Sequence, residues 1–133
     1  LESYSELESA GSGERMPTSY PLKGTASIVP DEVSGLVQTE FMCDEGVRVV
    51  ATAAGIVTKA SGDEESGYNI PIDHENGYIT EYVSKGILLI QEGDKVGKNS
   101  VILSVIESDT QLIYKISLEN EYIDPIGVME ING

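Results

Sequence analysis

His74 is the only histidine among the 133 residues, and its neighbours Asp73 and Glu75 are both acidic. An imidazole beside carboxylates is typical of a general base or a metal ligand, because it titrates near neutral pH and binds metals well. The alternative is a structural histidine that forms hydrogen bonds at the end of a strand, beside the Asn76-Gly77 turn. We favour the structural role.

Cys43 is the only cysteine, and Glu40, Asp44 and Glu45 lie close to it in sequence. These four side chains could be imagined as a metal cluster. Successive residues of a strand point to opposite faces, however, so the four cannot converge on one ion. We therefore expect Cys43 to be a small buried thiol. A single cysteine also excludes an internal disulfide.

Two polar segments have alternatives of their own. Asp63-Glu64-Glu65 offers oxygen ligands suited to Ca²⁺, but an EF-hand pattern is absent and we expect a solvated loop. Lys59, in Thr58-Lys59-Ala60, invites comparison with the modified lysine of lipoyl or biotinyl carrier domains. It precedes a long acidic loop and does not occupy the tip of a tight hairpin, so we do not expect modification.

The charge of the chain limits its partners. Eight basic and 23 acidic residues give a formal net charge of −15. Such a surface repels nucleic acids, anionic lipids and anionic wall polymers. Hydrophobic residues make up 40%, enough for a core. No apolar run approaches the roughly 20 residues of a membrane span.

The chain divides into a short leader and one domain. Residues 1–16 are rich in Glu and Ser and predict a flexible acidic leader or stalk, with a short helix over residues 5–10 as the alternative. Residues 17–133 form the domain. From Tyr20 onward, short apolar segments alternate with Gly, Asn, Asp and Pro every 8 to 12 residues, about the spacing of an all-β sandwich or barrel.

A hairpin near the middle of the chain is the most secure local prediction. Ile70, Ile72 and His74 share one face by the two-residue period of a strand. Asn76-Gly77 then favours a type I′ turn. Tyr78, Thr80 and Tyr82 alternate along the returning strand. Pro71 cannot donate a ladder hydrogen bond, so we expect it on an edge strand or with its nitrogen facing outward.

Two further features constrain the strands. Gly55 interrupts a β-branched, apolar stretch, which indicates a turn or a close approach of backbone. The run Ile87-Leu88-Leu89-Ile90 is either an exposed interaction edge or core, and we favour core because consecutive apolar residues usually mean burial on both faces. The other predicted strands are 47–51, 55–60, 86–90, 101–106 and 112–118.

Several segments together resemble the lysostaphin/LytM-type zinc endopeptidase domain, an all-β fold of many bacterial wall hydrolases. The resemblance implies an antiparallel β-sheet or sandwich domain of that type. The matching segments, in chain order, are Tyr20-Pro21-Leu22-Lys23-Gly24, the G-x-x-V-x-A-x-x-x-G-x-V pattern over 46–57, Ile72-Asp73-His74-Glu75-Asn76-Gly77-Tyr78, Glu92-Gly93-Asp94-Lys95-Val96 and Asp124-Pro125.

The catalytic positions of that family are occupied by other residues. By the resemblance, zinc is held by an H-x-x-x-D motif and by the second His of H-x-H, and these positions fall on Leu36, Glu40 and Ile113. The first His of H-x-H falls on Gln111, and the His of Y-x-H, which begins at Tyr82, falls on Ser84. Leu and Ile offer no donor, and Ser and Gln do not titrate near neutral pH. We therefore expect neither zinc nor any other cofactor, and no peptidase activity.

The resemblance implies a non-catalytic, extracytoplasmic scaffold or regulator of the bacterial cell envelope, acting in division, sporulation or control of a wall hydrolase. We expect a protein partner, a basic one because the chain is acidic, and membrane attachment only through an anchor outside this sequence. The vacated groove near Leu36, Glu40, Tyr82, Ser84, Gln111 and Ile113 is the expected binding surface. The alternatives are a metal-dependent wall endopeptidase with an atypical site and a peptidoglycan-binding module.

Overall fold

The computed structural model describes residues 16–29, 38–123 and 125. This part of the chain folds into thirteen short strands joined by turns, without an α-helix. Of the predicted leader, only Met16 belongs to the described residues. Leu36 and Asp124 also lie outside the described residues. The strands, β1 to β13 in chain order, are Leu22–Lys23, Ala26–Val29, Gln38–Cys43, Arg48–Val50, Gly55–Val57, Ser61–Asp63, Gly67–Asp73, Tyr78–Ser84, Ile87–Leu88, Lys95–Val96, Val101–Ser104, Thr110–Leu118 and Glu121–Ile123.

The strands form two antiparallel sheets, which confirms the predicted all-β class. The smaller sheet has the order β1-β4-β11-β9, and the larger one β10-β5-β7-β8-β12-β3-β2, with β6 beside β7 and β13 beside β12. Phe41 on β3 is opposite Leu112 on β12, and Thr39 is opposite Tyr114. All four side chains are buried. No helix in the described part is long and apolar enough to cross a membrane.

The predicted hairpin is present, but its turn is longer than expected. Asp73 pairs with Ile79, and His74 N donates to Tyr78 O at 3.0 Å, which leaves three residues in the loop. Glu75 and Gly77 have positive φ, at 63° and 94°, whereas Asn76 does not. A type I′ turn over Asn76-Gly77 is therefore wrong. Asp73 Oδ1 accepts from Glu75 N at 2.8 Å, and this bond stabilises the longer loop.

The run from Ile87 to Ile90 is core on only one side. Leu88 and Ile90 pack against the core, whereas Ile87 and Leu89 are 42% and 51% exposed. The prediction of a wholly buried run is wrong, because β9 is the last strand of the smaller sheet and, among the described strands, pairs only with β11.

Pro71 lies inside β7, which is between β5 and β8 in the larger sheet, so the prediction of an edge strand is wrong. Its carbonyl accepts from Thr58 N at 3.1 Å, and the nitrogen of a strand residue points the same way as its carbonyl. On that edge of β7, β6 pairs with residues 67–69 and β5 pairs with residues 72–73. Pro71 lies between these two paired segments. The nitrogen therefore faces a gap in the ladder, where no donor is needed.

Candidate functional site

A row of partly exposed side chains crosses the large sheet on the face opposite the core. Ile113 on β12 is directly opposite Glu40 on β3 and Val83 on β8. Direct cross-strand partners project from the same face, and so do residues two apart on a strand. Gln111 therefore stands beside Ile113 on this face. The register brings Glu40, Gln111 and Ile113 together.

The Glu40 carboxylate is held between two glutamine amides. Gln111 Nε2 donates to Glu40 Oε1 at 2.8 Å, and Gln38 Nε2 donates to Oε2 at 2.9 Å. The first bond links β12 to β3. The second fixes the carboxylate from within its own strand. Both carboxylate oxygens are thus engaged by protein donors.

A cleft of about 340 Å³ opens beside this row. Ser84, at the end of β8, reaches it, and its hydroxyl donates to Lys85 O at 3.0 Å. Gln111 and Ile113 line the same cleft from the exposed face of β12, whereas Ser84 is only 5% exposed and lies on the core-facing side of β8. The remaining wall comes from residues 66–67, 83, 85 and 107–110.

Tyr82 does not line this cleft, contrary to the sequence-based assignment. It is 1% exposed and projects into the core, because its neighbours Glu81 and Val83 occupy the opposite face of β8. Its hydroxyl accepts from Thr52 N at 2.9 Å and from Thr80 Oγ1 at 2.7 Å. Tyr82 is thus a core residue. Leu36 lies outside the described residues.

A buried chain of hydroxyl groups runs behind the site, and sequence reasoning missed it. Thr52 Oγ1 is 3.0 Å from the Tyr82 hydroxyl and 2.7 Å from the Tyr114 hydroxyl. Thr80 extends the chain from Tyr82 towards His74. The alternation of Thr80 and Tyr82 on β8, with Tyr114 on the neighbouring strand, was the available sequence signal. All of these side chains are buried.

His74 ends this chain and has a structural role, as the sequence analysis favoured. Its Nδ1 is 2.8 Å from Ala54 O, and its Nε2 is 2.9 Å from Thr80 Oγ1. The side chain is fully buried, and desolvation lowers its pKa below the usual 6.5. With both ring nitrogens engaged inside the core, His74 is not placed to act on a substrate.

Cys43 is buried and free, as expected. Burial, with a smaller effect from Asp44, raises the pKa of its thiol to about 11. The thiol therefore stays protonated at neutral pH, and a protonated thiol is neither a nucleophile nor a good metal ligand.

The acidic loop at 63–65 is solvent-exposed. Asp63 Oδ1 accepts from Ser66 N at 2.7 Å, Ser66 Oγ at 2.9 Å and Glu65 N at 3.0 Å. These bonds, those from Ser66 foremost, lower the pKa of Asp63. Glu64 and Glu65 line a second cleft next to the first.

The side chains at the site do not fit a catalytic zinc ion. Such a site needs about three N, S or O donors around one point. Ile113 offers none, and both Glu40 oxygens are engaged by glutamine amides, one of them that of Gln111. Within residues 16–29, 38–123 and 125, no three His, Cys, Asp or Glu side chains are grouped closely enough to hold a metal ion.

The sequence model of Peptidase family M23 matches residues 38–125, from the first residue of β3 to the end of the described chain. The chain belongs to this family. The match confirms the recognised lysostaphin/LytM-type fold. The antimicrobial peptidase lysostaphin from Staphylococcus simulans superimposes with a TM-score of 0.62 at 15% identity, over 77% of this chain and 48% of that chain.

Two relatives are similar in sequence. Stage II sporulation protein Q of Bacillus subtilis (strain 168) is 30% identical over 88 residues, which cover 62% of this chain and 31% of the relative. The protein NlpD/LppB homolog of Buchnera aphidicola subsp. Acyrthosiphon pisum (strain APS) is 30% identical over 118 residues, 84% of this chain and 35% of the relative. The chain thus spans about a third of the length of each.

A solved structure of the SpoIIQ-SpoIIIAH pore forming complex also contains the fold. It matches with a TM-score of 0.62 at 23% identity, over 77% of this chain and 71% of that chain. An antimicrobial peptidase and a pore-forming complex therefore share this architecture. Because fold does not imply function, the side chains at the site have to decide between catalysis and binding.

Proposed function

We propose that this family M23 domain is non-catalytic and binds a protein partner on the outer side of the cytoplasmic membrane, in the bacterial cell envelope. The observation that carries the proposal is the chemistry of the site. Glu40 is hydrogen-bonded to Gln111, and beside them Ile113 presents a hydrocarbon side chain. Glu40, Gln111 and Ile113 do not supply the three donors that catalytic zinc needs, and none of them is an imidazole.

The same residues suit a protein segment better than a metal. Ile113 and Val83 are apolar and partly exposed, whereas Gln111 contributes an exposed polar side chain at the margin. Recognition sites combine an apolar lining with a few polar groups in this way. Leu36, if it occupies the position that the family resemblance assigns to it, adds further apolar surface.

Two observations favour a protein over the cell wall as the binding target. The solved SpoIIQ-SpoIIIAH complex is an assembly of two proteins, and Stage II sporulation protein Q is a relative of this chain. The net charge of −15 opposes adhesion to anionic wall polymers and favours a basic partner. We propose a role in division, sporulation or control of a wall hydrolase.

The test compares three properties of the chain purified without a chelator. We expect no stoichiometric zinc by elemental analysis, no release of soluble fragments from purified wall sacculi, and no sedimentation with sacculi. The variant L36H/E40D/I113H, which restores the family's donors, is the positive control for zinc. Near-stoichiometric zinc with fragment release would establish an active peptidase, and sedimentation alone would establish a wall-binding module.

Partner binding is tested by capture from solubilised envelopes of the source bacterium. We expect the wild-type domain to retain a defined protein, the I113D variant to lose it, and the I28D variant to keep it. Ile28 is the control because it is an isoleucine that is 38% exposed, more than the partly exposed Ile113, and lies on β2 outside the cleft. Equal capture by both variants, or no capture by the wild type, contradicts the proposal.

A further inference from the structure

Three large apolar side chains are exposed on or just beyond β9 and β11, the last two strands of the smaller sheet. Ile87, Leu89 and Ile106 are 42%, 51% and 49% exposed. Ile87 pairs with Ser104, and Leu89 N donates to Ile102 O at 3.0 Å, so β9 and the chain beyond it follow β11. Ile106 lines a cleft together with Lys85 and Gly86, immediately before β9. We call these three side chains and this cleft the β9 corner.

The β9 corner has an open strand edge. β9 is the terminal strand of its sheet, and its outer side pairs with no strand in the described part of the chain. Gly86 has a φ of 147°, and a Cβ there would meet Leu103 Cδ2 at 2.8 Å. Glycine therefore allows the chain to press against β11, where Gly86 is buried. An exposed edge flanked by apolar side chains is a template for an extended peptide.

The charge of the cleft determines which peptide would fit. Its volume is about 430 Å³, and its charged lining consists of Glu64, Glu65 and Glu107 against Lys85 alone. Three carboxylates and one amine leave a net charge of 3 − 1 = 2 negative units at the rim. A segment with lysine or arginine next to its apolar side chains is complementary to this surface, and an acidic segment is repelled.

We propose that the β9 corner binds an extended segment of a partner protein in which apolar side chains alternate with lysine or arginine. The apolar side chains cover Ile87, Leu89 and Ile106, and the cations face Glu64, Glu65 and Glu107. This inference rests on the proposed protein-binding function and defines the chemistry of the partner. Its cleft adjoins the groove of Gln111 and Ile113, because Lys85, Glu107 and Thr110 line both, whereas Ile87 and Leu89 line neither.

The test is an NMR titration of the ¹⁵N-labelled domain with three designed heptapeptides. The first alternates lysine with leucine, the second replaces each lysine by glutamate, and the third replaces each leucine by serine. We expect only the first peptide to shift the backbone amides of residues 64–65, 85–89 and 106–107. Added salt should weaken the binding of this peptide, because the ion pairs between its lysines and the domain are solvent-exposed.

Variants then separate the two kinds of contact. E64Q/E65Q removes two exposed charges and should weaken binding about 2- to 10-fold, the range for exposed ion pairs. L89S removes an apolar contact and should weaken binding about tenfold or more. I28S serves as the matched control with unchanged affinity, because Ile28 is similarly exposed on β2.

Shifts centred elsewhere, equal binding of the acidic peptide, or unchanged affinity of both variants would overturn the inference. Its failure is distinguishable from failure of the proposed function. If the peptides cause no chemical-shift changes but envelope capture still depends on Ile113, only the inference about the β9 corner fails. If the first peptide binds but the domain captures no envelope protein, only the role proposed for the groove fails.

Discussion

The bond between Thr52 and Tyr114 gives the sharpest test of how the core holds the site in place. Thr52 Oγ1 lies 2.7 Å from the Tyr114 hydroxyl, and the described residues offer that hydroxyl no other hydrogen-bond partner. Tyr114 is fully buried. Thr52→Val keeps the branched shape of the side chain but leaves the Tyr114 hydroxyl unpaired. A buried, unsatisfied hydroxyl costs about 1–3 kcal/mol, which is the expected loss in the free energy of unfolding.

Tyr114→Phe should cost less. Thr52 keeps its contact with the Tyr82 hydroxyl, so the variant loses one ordinary hydrogen bond, worth about 0.5–1.5 kcal/mol. In T52V/Y114F no unpaired tyrosine hydroxyl remains at this point. The double variant should therefore be about 1–2 kcal/mol more stable than the sum of the two single losses predicts.

The assay is equilibrium unfolding in urea at pH 7, monitored by far-UV circular dichroism because the chain has no tryptophan. The four proteins form one double-mutant cycle. Additive losses within about 0.3 kcal/mol would show that the two hydroxyls are not coupled, and would refute the inferred bond. A denaturant slope that changes in one variant would invalidate the two-state comparison for that variant.

Two further predictions concern His74 and Gly55. Burial holds the pKa of folded His74 below 6.5, so the unfolded chain takes up the proton first, and the free energy of unfolding should fall as pH drops below 6.5, by at most about 1.4 kcal/mol per pH unit. His74→Gln should flatten the profile of urea midpoints between pH 7.5 and 5.5, and an unchanged profile would exclude His74 as its source. Gly55→Ala places a Cβ 2.5 Å from Asp73 O and should cost about 1–3 kcal/mol in the same unfolding assay. Gly97→Ala is its control, because a Cβ there comes no closer than 3.6 Å, to Ser100 Oγ, and equal losses in the two variants would contradict the steric argument.

Local patterns predicted the strands better than the turns. Ile70, Ile72 and His74 are all buried on one face, as the two-residue period required. The Asn76-Gly77 dipeptide favoured a two-residue turn, but Asp73 accepts a bond from the backbone of Glu75 and the loop gains one residue. Likewise, four consecutive apolar residues at 87–90 do not reveal whether the strand lies inside a sheet or at its edge.

The site was predictable where motif positions converge on one strand face. Gln111 and Ile113 lie two residues apart on β12 and so share a face, and the buried Ser84 reaches the same cleft from the end of β8. Tyr82 was placed wrongly because successive residues of β8 alternate between the two faces, and Tyr82 falls on the face that packs into the core. The hydroxyl chain was missed because it joins Thr52 to residues 30 and 62 positions away, which no local window contains.

Hydrogen bonds fasten the strand that carries Gln111 and Ile113 on both of its faces. On the exposed face, the bond from Gln111 to Glu40 ties β12 to β3. On the core face, Tyr114 ties the same strand to Thr52, in the segment between β4 and β5, and through it to Tyr82 on β8. A surface whose strands are already held in place loses little conformational entropy when a partner binds, and this supports the proposed protein-binding role.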